Sequence, residues 1–563
     1  MPTFDVGDVP FSRRGSWLSF SRLDRSIPDS IPEEGLYFRT VRDRGSGRQL
    51  FRLELPSGTG ARAAFATSAT PSLMRLASPF GEVEICMPDV HSARFRGRGT
   101  SLRLVSLAGE EVSFASPRRG GSWLANFLGA DMRLLLTPLR GALQVEAPWK
   151  PQGSSEMIFE AHPDASGEFD LVVEELVPSF EALRPRPGFD EESAGVEEEF
   201  RAFKSALPSC STPAAELAAY LCWSSIVEAE GSLTRATMLS SKSRMNGVWS
   251  WDHCFNALAL CGGHQALAWD QIMTLFDHQD RHGAIPDAVF NRRVVWNFTK
   301  SPVHGWAIAR MLRGGSLDRT MKEEAYDRLA RWTEFWFSRK DCDGNGIPCY
   351  EHGNDSGWDN ASVFFSAPPY EAPDLATYLV LQMDTLALLA EELGRPEAAR
   401  AWRGRSAVFL SRALELLTRG NRMVFLSSPR REAAPTQSLL PYTQLLLGER
   451  LPRSSLRSLV KSLKTEGFIT AWGLASESTL SPRYASDGYW LGPIWAPSTL
   501  LMIDALAAAG EPGLAQDIGR KFLALAERSG FSENYDALTG EPLRDKAFSW
   551  SASVYLLLRA EIR

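Results

Sequence analysis

The sequence predicts a multidomain β + α protein: an N-terminal antiparallel β-sandwich over residues 1–190, followed by an (α/α)6 barrel over 191–563. Three observations carry this. The chain has 563 residues, too many for one ordinary small core. Its first third shows short runs of alternating apolar and polar residues, broken by glycine, proline and polar turns. From about Glu197 the apolar period changes to three and four, and long amphipathic segments follow one another.

The strand-like runs are Gly35–Val41, Gln49–Leu55, Val83–Met87, Thr100–Leu107 and Asp170–Leu176, a spacing that suits an antiparallel sandwich. A proline- and acid-rich stretch, Pro178–Glu199, reads as a linker passing into a helix. Helical periodicity then marks Ala214–Glu228, Gln265–Gln279, Asp318–Ser338, Asp374–Leu393, Glu397–Leu417, Leu500–Ala509, Gly513–Arg528 and Phe548–Arg563. Leu329, Trp332, Phe335 and Trp336 show the pattern. Loops rich in Gly, Pro, Trp and Asp separate these segments. A dozen or so helices with elaborate loops on alternate turns suit a toroid whose loops line a central pit; an irregular helical bundle is the competing arrangement.

Composition narrows the function. The apolar share is 44% and the formal net charge is -7, a mild acidity that argues against nucleic acid as the main partner. Histidines number eight, and the seven cysteines are scattered with no Cys-x-x-Cys pair, so zinc is not expected. The cysteines read as buried apolar residues in a reducing compartment, and the expected location is cytoplasmic. Met1–Pro10 lacks a basic start followed by an apolar stretch and does not read as a signal peptide. The longest apolar stretch, Leu491–Gly510, contains two prolines, Ser498, Thr499 and Asp504, and reads as a buried helix and its approach rather than a membrane span. Asn297-Phe-Thr and Asn360-Ala-Ser fit the glycosylation pattern, most simply by chance.

The candidate chemistry lies in the loops. Val248–Phe255, Pro302–Trp306, Ser356–Asn360, Tyr489–Trp495 and Phe548–Trp550 each set tryptophan beside small or charged residues. Sugar rings stack their apolar faces on indoles, while their hydroxyls need Asp, His or Asn partners. Any single tryptophan is as readily a core residue; the recurrence of Trp near Asp and Gly favours sugar binding for the set. The candidate sugar contacts are Trp251, Asp252, His304, Trp306, Gly357, Trp358, Tyr489, Trp490, Trp495 and Trp550.

Two runs carry carboxylates: His352–Asn360 and Ser532–Asp536. Inverting hydrolysis of a glycosidic bond needs one carboxylic acid to protonate the leaving oxygen and one carboxylate to activate water. Asp359, after Gly357 and Trp358, is the candidate acid, an adjoining indole favouring its neutral form; Glu533 is the candidate base. Asp252, Asp355 and Asp536 are rivals, with Asp252 assigned to sugar hydroxyls and Asp355 to support of the acid. A surface carboxylate or helix cap is the commoner fate of any one Asp or Glu. No cofactor is expected. Asp341-Cys-Asp-Gly-Asn-Gly346 matches the front half of a calcium loop, with Asp341, Asp343 and Asn345 as donors, but His352 stands at the twelfth position where such loops place Glu. A tight turn is the simpler reading. Arg430 and Arg431 could meet an anionic aglycone or lie in a solvated loop.

At these residues the chain resembles glycoside hydrolase family 63, closest to its bacterial mannosylglycerate and glucosylglycerate hydrolase branch, and more distantly is similar to the trehalases. The pieces that carry the resemblance are Trp249-Ser-Trp-Asp252, Pro302-Val-His-Gly-Trp306, His352–Asn360, Tyr489-Trp-Leu-Gly-Pro-Ile-Trp495, Glu533-Asn-Tyr-Asp536 with Thr539-Gly540, and Phe548-Ser-Trp550, in the expected order over roughly the last two-thirds of the chain. The resemblance implies an (α/α)6 barrel, inversion at an α-glycosidic bond, Asp359 as acid and Glu533 as base. It implies Trp251, Asp252, Tyr489, Trp490 and Trp495 around the terminal sugar. Leu491 stands where many relatives have Arg, a departure that bears on both the sugar preference and the leaving-group side. An α-glucosidase acting on a small glycoside or oligosaccharide is the expected activity. The alternatives are an (α/α)6 lyase or epimerase with a base such as His304 or His253, and a silent carbohydrate-binding protein. Oligomeric state is not legible.

Overall fold

The computed structural model describes residues 1–23, 33–42, 48–106, 112–154, 156–176, 186–207, 211–315, 317–427 and 431–562. The first part is a sandwich of two antiparallel sheets. One has the order Leu18–Leu23, Gly35–Thr40, Arg48–Pro56, Leu102–Ser106, Ile158–His162, Ala142–Glu146, with Arg62–Ala63 paired to the third strand. The other runs Phe114–Pro117, Trp123–Phe127, Met132–Arg140, Glu168–Glu175, Ser92–Arg98, Gly81–Asp89, Met74–Ser78, Ala66–Ala69. Alternate side chains point to opposite faces of a strand, so each sheet presents an apolar face to the other. Rings cross the gap: Phe20 meets Phe95 at 5.9 Å and Phe51 meets Phe127 at 5.2 Å between centroids. All five strand-like runs of the sequence fall on strands of these two sheets. Of the expected linker, residues 178–185 lie outside the described residues. The last sandwich strand ends at Glu175 and the first helix begins at Phe189, so the expected division at 190/191 falls within that helix's first turn.

The helices are α1 Phe189–Ser205, α2 Pro213–Ser224, α3 Asp252–Leu260, α4 Gln265–Phe276, α5 His304–Arg313, α6 Arg319–Arg339, α7 Gly353–Ser356, α8 Pro373–Glu392, α9 Pro396–Leu417, α10 Arg453–Thr465, α11 Ala496–Ala508, α12 Pro512–Ser529 and α13 Ser549–Glu561. A 3-10 segment, Leu440–Arg450, lies between α9 and α10. Contacts close an inner ring: α3 packs on α5, α5 on α8, α8 on the 3-10 segment, that segment on α11, α11 on α13, and α13 back on α3. Helices α2, α4, α6, α9, α10 and α12 pack outside them. The chain thus alternates outer and inner elements six times, the (α/α)6 barrel. Inner helices approach closely where side chains are small: a Cβ on Gly305 of α5 would sit 2.4 Å from the Cα of Gln382 in α8.

The helices that the periodicity does not mark are mostly inner. Every residue of α3 is buried, and a helix buried all round has no polar face to reveal its period. Helix α5 and the Leu440–Arg450 segment go unmarked too, and among outer helices α10. None of the described helices is long and apolar enough to cross a membrane. Six cysteines, Cys86, Cys222, Cys254, Cys261, Cys342 and Cys349, are unbridged thiols.

Candidate active site

The loops that lead into the inner helices converge on one pit of about 410 Å³, the open solvent at its mouth included. Its walls are Met245, Trp249, Trp251, Asp252, Lys300, Gly357, Asp359, Tyr489, Trp490, Glu533, Phe548 and Trp550. Asp252 opens α3, Lys300 precedes α5, Asp359 precedes α8, Tyr489 and Trp490 precede α11, and Trp550 opens α13. Widely separated segments thus meet because an inner ring gathers its helix starts on one face.

Each carboxylate is placed by a specific local structure. The turn before Asp359 is built by Asp355, whose carboxylate accepts from the backbone amides of Thr299 (2.9 Å), Glu351 (2.8 Å) and His352 (3.1 Å). Gly357 then takes a left-handed conformation (φ 82°) and passes against the Trp251 indole, where a Cβ would approach to 2.6 Å; only glycine satisfies both conditions. Asn360 ties this turn to the next loop: its side chain donates to the Gly488 carbonyl (3.0 Å) and accepts from the Trp490 amide (2.9 Å). Tyr489, between them, is left-handed (φ 63°), a strained geometry for a side-chain-bearing residue and held by this clamp. Glu533 is fixed on both flanking peptides. Its amide donates to the Asp545 carbonyl (2.7 Å), and the Trp550 indole donates to its own carbonyl (3.1 Å).

The charges are crowded. Asp359 is 29% exposed toward the pit, whereas Glu533 is 6% and Asp252 4% exposed. Lys300, almost fully buried, donates to the Asn354 carbonyl (2.7 Å) and to Asp359 (3.4 Å), and pairs with Asp287 at 3.6 Å. Burial would push its ammonium pKa down, but Asp359, Asp287 and Asp252 together outweigh burial and raise it, so the lysine stays charged. Burial drives the Asp252 carboxyl well above the usual range, Lys300 opposing and Asp359 adding. Burial also pushes Glu533 up to about 8, with the Asp545 charge adding and Arg544 opposing.

Of the residues expected from sequence, Trp251, Asp252, Gly357, Asp359, Tyr489, Trp490, Glu533 and Trp550 meet at the pit. The others stand behind or away from it. Trp358 is fully buried and stacked on Trp490 (4.4 Å between centroids), and Trp495 stacks on the far face of the same network (4.1 Å, 5° between planes). Trp358 therefore braces the wall, and the charged neighbour of Asp359 is Lys300. His304 lies buried between Phe276 and Trp332, its pKa pushed down to about 4 by burial. Trp306 lines a different cavity, its indole donating to Asp504 at 2.8 Å. His253 is fully buried against the carbonyls of Trp249 and Met238. No histidine lines the pit among the described residues. Asp536 accepts from the Leu538 amide in an exposed turn. Arg431 is bound to buried Glu371 and to the Leu416 carbonyl; Arg430 lies outside the described residues.

Lys300, Asp287, Met245 and the clamp of Asn360 escape the sequence reading, because a lone Lys or Asn in a loop carries no spacing signal. In the candidate calcium loop the donors are turned inward: Asp341 accepts from the amides of Gly344 and Gly346, Asp343 from that of Asn345, and Asn345 donates to Glu371. His278 and His282 have the four-residue spacing of a zinc pair, yet His278 faces the Ser232 carbonyl and His282 meets Arg339. Among the described residues no three His, Cys, Asp or Glu side chains converge as a metal site.

The sequence profile of the mannosylglycerate hydrolase MGH1-like glycoside hydrolase domain matches residues 245–551, over half of the chain and every wall of the pit. The chain belongs to this GH63-like family. It is a glycoside hydrolase. Relatives include a mannosylglycerate hydrolase of Rubrobacter radiotolerans, 24% identical over 55% of this chain and 89% of its own length. A glucosylglycerate hydrolase of Mycolicibacterium hassiacum is 24% identical over 55% of this chain and 91% of its own. Among solved structures, the GH63 mannosylglycerate hydrolase of Thermus thermophilus with glucose superposes with a TM-score of 0.53 at 19% identity, covering 61% of this chain and 99% of that one. A bacterial glucoamylase complexed with acarbose reaches 0.65 at 12% identity and covers 100% of this chain and 94% of that one. At such identities the superpositions speak to fold: the family's barrel accounts for the helical part, and the whole two-domain plan has a counterpart in the glucoamylase.

Proposed function

We propose that the protein is an inverting, exo-acting α-glycosidase, with small α-glucosides as its substrates, acting through Asp359 as general acid and Glu533 as general base. The observation that carries this reading is that the two carboxylates, 174 residues apart by number (533 − 359), both face one small tryptophan-walled pit. The pit suits one terminal sugar ring, with Trp251 and Trp550 against its apolar faces, Trp490 held between two indoles behind them, and Asp252 and Lys300 toward its hydroxyls. Asp359, the more open of the pair, protonates the leaving oxygen as the glycosidic bond breaks. Glu533 takes a proton from the water that attacks the opposite face of the sugar. The relatives are named for mannosyl- and glucosylglycerate, so glycosides of a small acid belong in the first substrate screen with α-glucosides and α-mannosides. A cytoplasmic location goes with this reading, and no step uses a metal or cofactor.

One observation favours a second assignment. A carboxyl raised to about 8 suits an acid better than a base, so the roles of Glu533 and Asp359 are exchangeable on that ground. We favour Glu533 as base because of the family resemblance; the cation Lys300 beside Asp359 is a second observation on the side of the exchanged roles. The pH profile decides. A base must be ionised, so kcat/KM should rise as pH passes through about 8; with Glu533 as acid it should fall there. Leaving-group dependence decides independently. With Asp359→Asn, glycosides of good leaving groups should keep most of their rate, and azide should revive Glu533→Gln. The opposite pattern exchanges the roles, and full activity in both variants removes the reading.

A further inference from the structure

We infer that the sandwich is a working part of the active site, with Arg39 as a positioning residue that holds the loop behind the catalytic base. Arg39 projects from the Gly35–Thr40 strand and is fully buried at the domain junction. Its guanidinium donates to the Ser243 carbonyl at 2.7 Å and to that of Lys242. The loop it grips, residues 240–246, is fastened to the N-terminal part twice more. Lys242, itself buried, donates to Ser12 Oγ (3.1 Å) and to the carbonyls of Ser16 (2.5 Å) and Arg13 (3.2 Å), and Asn246 donates to the Val41 carbonyl (2.6 Å). A buried ammonium and a buried guanidinium spent on one loop are costly to desolvate, which marks this attachment as more than surface docking.

From this loop the chain of contacts runs to Glu533. The Arg244 amide donates to Asp545 Oδ2 (3.0 Å), the Ala547 amide to Asp545 Oδ1 (3.0 Å), and the Asp545 carbonyl accepts from the Glu533 amide (2.7 Å). The Ser549 amide meets the Ser240 carbonyl (2.8 Å), and Met245 of the same loop lines the pit. Asp545 is thus a carboxylate shared between the sandwich-held loop and the backbone of the base. The groups facing Glu533 are Asp359, Tyr489, Arg544 and Asp545; those facing Asp545 are Arg244 and, across the loop, Arg39. Loss of Arg39 releases the loop and leaves Asp545 without that cation.

The inference rests on Glu533 as the base. Its test is steady-state kinetics of full-length Arg39→Met, Arg39→Lys and Asp545→Asn on an α-glycoside that the wild type hydrolyses, with the melting midpoint taken on the same samples. Arg39→Met is expected to lose about 100-fold in kcat with KM held, the size of effect a slight misplacement of a reacting group produces. The pH limb that belongs to Glu533 should move up, and Arg39→Lys, which keeps the charge, should fall between. Wild-type kinetics in Arg39→Met, or a lower kcat that tracks only the folded fraction with the limb unmoved, overturns the inference. If the methionine variant does not fold, Arg39→Lys carries the test of the link, and wild-type kcat with an unmoved limb there overturns the inference. Asp545→Asn checks the last step alone: without the charge that adds to the rise of Glu533, the limb should move down, and an unmoved limb overturns the inference. Turnover retained by Glu533→Gln removes the underlying reading instead, whereas an inactive Glu533→Gln beside an indifferent Arg39→Met removes only the link.

Discussion

The two ends of the barrel hold cavities of opposite character. The pit at the starts of the inner helices measures about 410 Å³ and gathers Asp252, Asp359, Glu533 and Lys300. The cavity toward their ends is larger, about 870 Å³, and is lined by Trp306, Ala309, Leu381, Leu388, Leu446, Ala507 and Ala508 with Thr385, Arg313 and two aspartates. Those aspartates are committed. Asp504 accepts from Trp306 and Arg310, and Asp384 from Ser406 and Arg450. In the pit the carboxylates instead crowd one lysine, and burial raises the proton affinity of Asp252 and Glu533, which is costly unless a substrate uses it. The two ends therefore differ in charge more than in size: the smaller pit holds the crowded carboxylates.

The largest effects should separate the ends most sharply. Asp359→Asn and Glu533→Gln are each expected to lose about 10²- to 10⁴-fold in kcat, the usual share of a general acid or base, with the circular dichroism spectrum unchanged. Asp504→Asn at the far end should leave kcat and KM as they are; a comparable loss there would erase the distinction. Next in size is Lys300→Met. Removing the cation from among Asp252, Asp287 and Asp359 should cost about 3 kcal/mol in denaturant unfolding, since two buried carboxyls and one half-buried one lose their partner. Asp504→Asn should cost less, about 1–2 kcal/mol, because asparagine keeps one acceptor oxygen for the Trp306 indole and Arg310 keeps Glu561.

The smallest effect is on stability against pH. Glu533 binds its proton more tightly in the folded chain, about 8 against 4.5, so its contribution to stability is present below the lower value and is lost as pH rises through the upper one. Glu533→Gln lacks that loss. Its melting midpoint should exceed the wild type's most clearly above pH 8, and a constant difference across pH would contradict the burial argument.

Part of this contrast was legible in the sequence. Strand runs such as Gln49–Leu55 alternate because one face is buried, and outer helices such as α6 carry both an apolar and a charged face, so both fold classes showed through. Of the inner helices α8, α11 and α13 showed through, but α3 and α5 did not, because they have almost no solvent face at their starts. In the site, Asp359 and Glu533 were found because glycine, tryptophan and asparagine surround them in a pattern. That pattern could not separate the Trp490 side of the wall from its backing. Trp358 and Trp495 have the same local sequence character as Trp490, and only packing shows that they are stacked behind it. Trp306 was misplaced for a related reason: it follows His304 into α5 and lies beyond the helix start, facing Asp504. Lys300 and Arg39 were invisible because their meaning comes from partners supplied by other segments.

The most direct test is proton NMR of the sugar released by the wild-type protein from an α-glucoside or α-mannoside, read before mutarotation. Two carboxyls acting on opposite faces of a sugar held in the pit predict that the β anomer appears first. First release of the α anomer, or no release from any α-glycoside in the screen, would contradict the account.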